Sequence, residues 1–325
     1  MMTRRTFLTS ALVSSISFHV RATQQGKVWR IGVLGPSTAS EMAPAVEQLR
    51  LGLGKLGYVD GQNILLEQRF DDGQQKRLPV LAEELVALKV DLIVALATPA
   101  ALAAKHATDS VPIVMSAPGD PVGAGLIASL AHPGGNVTGQ TDYSPEVTGK
   151  RIQILKELVP HLKSLAVLGY PSNTVWKSTW SEAQAATSEL RMKVLPVLVA
   201  TPEEIPTALT GLNKRVQALF VAPQTPFWVH RKKIIALAAR EKLPASYEHE
   251  VCVDEGGLVS YSADYLALRR NVARHIDKIL KGSKPADLPV EVPTEFVLAV
   301  NVKTAKTLRL TIPPSIMASA TKLVQ

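Results

Sequence analysis

A single cysteine, Cys252, serves the whole chain of 325 residues. No disulfide can close within it. The thiol sits in Val251-Cys252-Val253 with no nucleophile signature around it, so it reads as a small buried apolar residue. Aromatic residues make up 5%. Nucleic-acid binding asks for a basic stripe with interleaved rings, and there is none. The densest basic run, Arg231-Lys232-Lys233, opens a helical pattern and reads as a solvated face, so no nucleic-acid partner is expected. Histidines His106, His132, His161, His230 and His275 stand singly, without metal-ligand spacing. His249-Glu250 begins a zinc-protease pattern, but Val253 stands where the second His belongs. No Walker loop or Gly-x-Ser-x-Gly elbow occurs. Gly52-Leu53-Gly54-Lys55-Leu56-Gly57 matches the dinucleotide fingerprint only as text, because it closes a helix instead of opening one after a strand. No cofactor, no metal and no catalysis are therefore expected. After residue 22 no apolar run reaches the ~20 residues that span a bilayer.

What is present begins at the N-terminus. Arg4-Arg5 precedes Thr6-Phe7-Leu8 and a short apolar run to Phe18, diluted with Ser and Thr. Val20-Arg21-Ala22 then offers small residues at a cleavage site. This order reads as a secretory signal peptide over residues 1–22, of the twin-arginine type. No cysteine follows the run to carry a lipid, so the mature chain is expected free in the periplasm, soluble and monomeric. Hydrophobic residues at 46% and charged residues at 20% suit an ordinary packed globule of about two domains.

From Trp29 onward, short aliphatic runs alternate with longer amphipathic ones. Strands are expected at Arg30–Gly35, Ile64–Phe70, Asp91–Leu96 and Pro112–Ala117. A Gly-rich stretch, Gly119–Gly139, interrupts the rhythm, which restarts at Ser164–Tyr170, Lys193–Val199, Ala218–Ala222, Leu243–Tyr247 and Gly257–Ser262. Apolar strands separated by helices imply parallel sheets covered on both faces. The reading is an α/β protein of two doubly wound parallel-sheet lobes. Residues 28–140 plus 264–325 form lobe 1 and residues 141–263 form lobe 2. Crossings near Gly139–Tyr143, Tyr261–Asp264 and Val290–Glu295 make a three-crossing hinge.

Open α/β sheets bind ligands beyond the carboxyl ends of their strands. In the first half those positions are Ser37, Thr98, Ser116 and Asp120. Thr98-Pro99 reads as an N-cap with proline at the first helical position, a helix start able to hold a carboxylate. Asp120 suits a ligand ammonium, or simply a turn before Pro121. In the second half the positions are Tyr170, Asn173, Gln224, Thr225, Tyr247 and Glu248, with Tyr143 and Tyr261 beside the crossings. Rings flanking a cleft suit a planar or apolar ligand body.

Several segments carry a family likeness: Gly119-Asp120-Pro121-Val122-Gly123, then Pro133-Gly134-Gly135-Asn136-Val137-Thr138-Gly139, Lys278-Ile279-Leu280-Lys281-Gly282, Pro285-Ala286-Asp287-Leu288-Pro289, and Asn301 with Thr311-Ile312-Pro313. The chain resembles the substrate-binding proteins of ABC transporters in the tryptophan/tyrosine-type group, from about Val28 to the C-terminus. The resemblance implies a type I periplasmic-binding-protein fold that closes on a small molecule and presents it to an ABC permease in the inner membrane. It places Thr98 and Asp120 in the first lobe of the site, and Tyr170, Asn173 and Glu248 in the second. Gln224 replaces a frequent Asp, and Tyr170-Pro171 a frequent Asn-Pro. The ligand expected is an amino acid or similar carboxylate, aromatic ones included. Two rivals use the same residues: a periplasmic sensor reporting to a receptor or sensor kinase, and a hydrolase or lyase on an α/β scaffold.

The arginine pair gives a direct test. Replacing Arg4 and Arg5 with Lys is expected to leave unprocessed precursor in the cytoplasm, seen by fractionation and immunoblotting. Unchanged processing would contradict the twin-arginine reading.

Overall fold

A computed structural model describes residues 27–142, 145–173 and 175–325. The leader (residues 1–22) and Tyr143 lie outside the described residues. The first sheet contains β1 (Trp29–Gly35), β2 (Ile64–Phe70), β3 (Leu92–Leu96), β4 (Ile113–Ser116) and β5 (Val137–Gln140). All pairs are parallel, in the order β2-β1-β3-β4-β5. The central strands are buried from end to end because helices cover both faces. Side chains alternate between them. Leu92 and Val94 join Met42, Val46, Leu49 and Leu53 of helix Ala39–Gly54. Ile93 and Ala95 join Leu81 and Leu85 of helix Leu78–Ala87, together with alanines of helix Ala97–Ala107.

The second sheet runs through β6 (Ser164–Gly169), β7 (Lys193–Leu198), β8 (Ala218–Val221), β9 (Ala245–Tyr247), β10 (Val259–Ala263), β11 (Phe296–Asn301) and β12 (Lys322–Val324). Its order is β12-β11-β10-β9-β8-β6-β7. Only β10–β11 is antiparallel. Both sheets are therefore doubly wound, and the carboxyl ends of their parallel strands face a common space.

The chain passes between lobes at Thr141–Asp142, at Asp264 and at Glu291–Glu295. These passages lie side by side. Thr141 N–H donates to the Glu291 carbonyl at 3.0 Å, Glu291 N–H donates to the Gly139 carbonyl at 3.0 Å, and Asp264 N–H donates to the Glu295 carbonyl at 2.9 Å. The fate of the last passage corrects one expectation. Helices Tyr265–Asn271 and Ala273–Leu280 do pack on the first lobe, where Val272, Ala273 and Ile276 share a core with helix Ala39–Gly54. Residues 296–325 do not stay there. β11 pairs with β10 from Val259↔Val300 to Ala263↔Phe296, and β12 extends that sheet. An odd number of crossings must leave the end of the chain on the lobe opposite its start. Leu298 and Val300 find their apolar partners there, among Leu165, Val167 and Phe220.

Among the described residues no helix is long and apolar enough to cross a membrane. The fingerprint-like glycines end helix Ala39–Gly54, and Gly57 turns the chain with φ +87°. Cys252 is buried.

Gly52 decides how closely the returning helix approaches. A Cβ at Gly52 would stand 2.1 Å from the Arg270 carbonyl oxygen, whereas one at Gly54 meets nothing within 4 Å. Gly52→Ala is expected to lower unfolding free energy by ~1–3 kcal/mol through overpacking. Gly54→Ala should leave it unchanged or raise it by up to ~1 kcal/mol. Urea denaturation followed by circular dichroism checks this; equal effects at both sites would contradict the packing.

Candidate functional site

The carboxyl ends of both sheets converge on a cleft of ≈ 390 Å³ between the lobes. On the first lobe its rim is built from residues that leave β3 and β4 in left-handed turns: Ala97 (φ 67°), Ala117 (φ 56°) and Asp120 (φ 36°). Non-glycine residues held at positive φ cost ~1–3 kcal/mol each and gather at functional sites. The turn at Ala97 aims the start of helix Ala97–Ala107 at the cleft, with no side chain capping its first amides. Free N–H groups and the helix dipole favour an anion at such a start.

Of the residues read from sequence, Thr98, Asp120, Asn173, Thr225, Glu248 and Tyr261 line this cleft. Four of them are partly engaged elsewhere, Asn173 Oδ1 accepting from Val175 N at 3.1 Å and Tyr261 stacking on Phe296 at 5.5 Å. Thr98 is the second residue of its helix, not the cap, and its Oγ1 accepts from Gly119 N at 3.1 Å. Asp120 Oδ1 accepts from Gly123 N at 2.9 Å within its own turn.

Ser37, Ser116, Tyr170, Gln224 and Tyr247 are not among the lining residues, and each has a structural task. Ser37 Oγ is hydrogen-bonded to Glu41, and its N–H donates to Asp71 at 2.8 Å. Ser116 Oγ accepts from Arg269 at 2.7 Å. The Gln224 side chain clamps the Tyr170 backbone, accepting from its N–H at 2.7 Å and donating to its carbonyl at 3.3 Å. Tyr247 is buried beneath Gly257, whose Cβ would meet the ring at 2.8 Å.

The inner end of the cleft is made mostly of residues the strand-end rule passes over. Tyr265 Oη lies 2.9 Å from Asp142 Oδ2 and 3.0 Å from Glu248 Oε1. Burial pushes the Asp142 carboxyl up to about 6. Burial, reinforced by Asp142, pushes Glu248 up to about 7. Two guanidinium groups balance them. Arg151 is 2% exposed, donates to the Val221 carbonyl at 3.1 Å and leaves Nε without a partner. Burial lowers it to about 10, and Glu248 opposes that shift. Arg269 reaches down to the Ser116 carbonyl at 2.5 Å. Burial lowers its pKa as well, against the pull of Tyr265 and Asp142.

An aromatic column runs outward from these charges. Tyr265 stacks on His249 at 4.6 Å, His249 meets Trp228 at 5.0 Å, and the Arg231 guanidinium covers Trp228 at 4.2 Å. His249 Nδ1 accepts from Val251 N at 3.1 Å, which leaves its other nitrogen to carry the proton. Burial, then Arg269 and Arg231, drive its pKa down to about 3, so the ring is neutral. At the mouth Arg231 bridges from Glu255 of its own lobe to Glu41 of the other at 3.2 Å. Val175 reaches within 3.0 Å of where a Gly119 Cβ would stand, and Val229 within 3.6 Å of one at Gly73. These contacts join the two lobes across the cleft.

Residues 30–324 match the family described as ABC transporter substrate binding protein. The chain belongs to that family. Within it, the chain is 30% identical over 270 residues to a tyrosine-binding protein of Clostridioides difficile strain R20291, covering 82% of this chain and 77% of that one. Among solved structures, an ABC domain from Streptococcus pneumonia in complex with L-Trp superposes with a TM-score of 0.86 at 30% identity, over 91% of this chain and 99% of that one. The ligand-free, open structure of a substrate binding protein with adhesive properties from Clostridium difficile superposes less well. Its TM-score is 0.70 at 25% identity, over 92% of this chain and 99% of that one. Together with the sheet topology, these matches fix the type I periplasmic-binding-protein fold.

Proposed function

We propose that this protein is the exported, periplasmic solute-binding component of an ABC uptake system, and that its cargo is an amino acid with a planar side chain. It binds without turnover and hands the cargo to a membrane permease. The observation that carries this reading is the desolvated quartet Asp142, Glu248, Arg151 and Arg269 at one end of a cleft walled by Tyr265, His249 and Trp228. Two acids and two bases with little solvent suit a ligand that carries one charge of each sign. A zwitterion offers a partner to each sign of charge, whereas a single ion matches one sign and leaves the other unmatched. The flat faces outside the quartet suit a ring, which buries much area with little loss of rotamer freedom. The tyrosine-binding relative and the L-Trp complex point the same way.

A thermal-shift panel tests this. At a hundredfold excess over its dissociation constant a ligand stabilises the folded state by about 2.7 kcal/mol. L-tyrosine, L-tryptophan or L-phenylalanine is expected to raise the melting temperature by several degrees, with aliphatic amino acids weaker and sugars inert. A shift confined to sugars, or to acids that lack an amino group, would overturn the reading.

A further inference from the structure

The inner end of the cleft contains more hydrogen bonds than its side chains can make when fully ionised. Tyr265 Oη is within hydrogen-bond distance of both Asp142 Oδ2 and Glu248 Oε1, at 2.9 Å and 3.0 Å. A phenol owns one proton and donates one bond. Burial and both carboxylates hold its pKa well above the ordinary tyrosine value, so it does not ionise. The second short contact therefore needs a proton on one of the carboxyl groups, which donates back to the phenol oxygen.

The surroundings do not remove that need. The charged and titratable groups facing the pair are Arg269, from the helix that Tyr265 opens, Arg151, from helix Pro145–Leu158, and His249 and Cys252, beside Glu248. Arg269 is committed to Ser116 and Arg151 to Val221, and among the described residues neither forms an ion pair with Asp142 or Glu248. His249 is neutral. The Cys252 thiol, pushed up to about 12 by burial, holds its own proton. Two buried carboxylates joined through one phenol then titrate as a unit that retains a proton near neutrality. This unit opens on the ligand's side, since Asp142, Glu248 and Tyr265 all line the cleft.

We infer that Asp142, Tyr265 and Glu248 form a proton-exchange site: the carboxyl pair holds one proton in the unliganded protein and gives it to solvent when a ligand's ammonium group takes its place. The carboxyl O–H bond breaks, the proton passes to buffer, and the cation then faces two carboxylates while the phenol donates to one of them. The assignment rests on the zwitterion reading above and adds a rule to it. A cationic amine is selected over the same ring without one, and affinity depends on pH. Linkage fixes the sign. An ammonium lowers the pKa of the pair, so binding releases a proton wherever the free pair retains one. Affinity then rises about tenfold per pH unit up to the region of about 6 to 7 and flattens above it.

Titration calorimetry of the mature protein with L-tryptophan and L-tyrosine, in two buffers of different ionisation enthalpy, measures the exchange. Near pH 6 the expected result is about one proton released per ligand bound, with the dissociation constant falling about tenfold from pH 5 to pH 6. Glu248→Gln, or Asp142→Asn if the first variant fails to fold, removes the exchangeable proton and should make the heat independent of buffer. 3-(Indol-3-yl)propanoate, which lacks the ammonium, should release none. Binding of either amino acid with no buffer dependence overturns the inference. If neither amino acid binds, the zwitterion reading fails by itself. Infrared difference spectra of the unliganded protein against Glu248→Gln then decide the proton count: a carboxylic-acid carbonyl band lost in the variant supports it, and no such band overturns it.

Discussion

The hinge is a small ladder, and the rest of the site depends on it. Three passages of chain lie side by side, tied by backbone hydrogen bonds from Thr141 to Glu291, Glu291 to Gly139 and Asp264 to Glu295. The Gln140 side chain adds a bond to Glu291 at 2.7 Å. Such a ladder can bend, but it resists sliding one passage past another, which holds the two lobes in register. Asp142 and Tyr265 sit on or directly beside these passages. Glu248 and His249, at the end of β9, come from the second lobe. The charged end of the cleft is therefore assembled beside the three passages, and the Arg231–Glu41 contact is at the mouth.

That division assigns different work to the two ends. At the mouth, Glu41 is about a third exposed and Arg231 is nearly buried, at 37% and 8% of their side chains. A single partly solvated pair contributes little net stability. It fits a contact that forms on closure without locking the protein shut. Beside the passages the cost of desolvating four ionisable groups is built into the fold. In the proposed function, a ligand that matches those charges removes a penalty already present. The left-handed residues on the first lobe's rim, Ala97, Ala117 and Asp120, are a further strain held by the fold beside the cleft.

Much of the fold was legible because buried parallel strands write themselves as uninterrupted apolar runs. Leu92–Leu96 and Ala218–Val221 are such runs. β11 was harder. Phe296–Asn301 reads as a strand, but nothing in FVLAVN states which sheet it joins, and its antiparallel pairing with β10 follows from the count of crossings. Lys322–Val324 is too short to show a period. In the cleft, the strand-end rule found positions but not chemistry. It selected Gln224 and Tyr247, whose side chains hold the backbone and core, because a polar residue after a strand looks the same whichever way it faces. It passed over Arg151 and Arg269, which project from helices. Arg151 left one trace: it interrupts the apolar positions of helix Pro145–Leu158, where Ile152, Ile154 and Leu155 are buried as it is. Asp142 and Tyr265 were each near a residue that was singled out, Tyr143 and Tyr261.

The account stands on ligand-driven closure about this hinge. Small-angle X-ray scattering of the mature protein, alone and saturated with whichever amino acid raises its melting temperature most, tests it directly. Ligand-driven closure predicts a smaller radius of gyration in the saturated sample, with a profile that matches the structure described above. An unchanged radius at saturation would contradict it and mark a rigid cleft or a ligand held by one lobe alone.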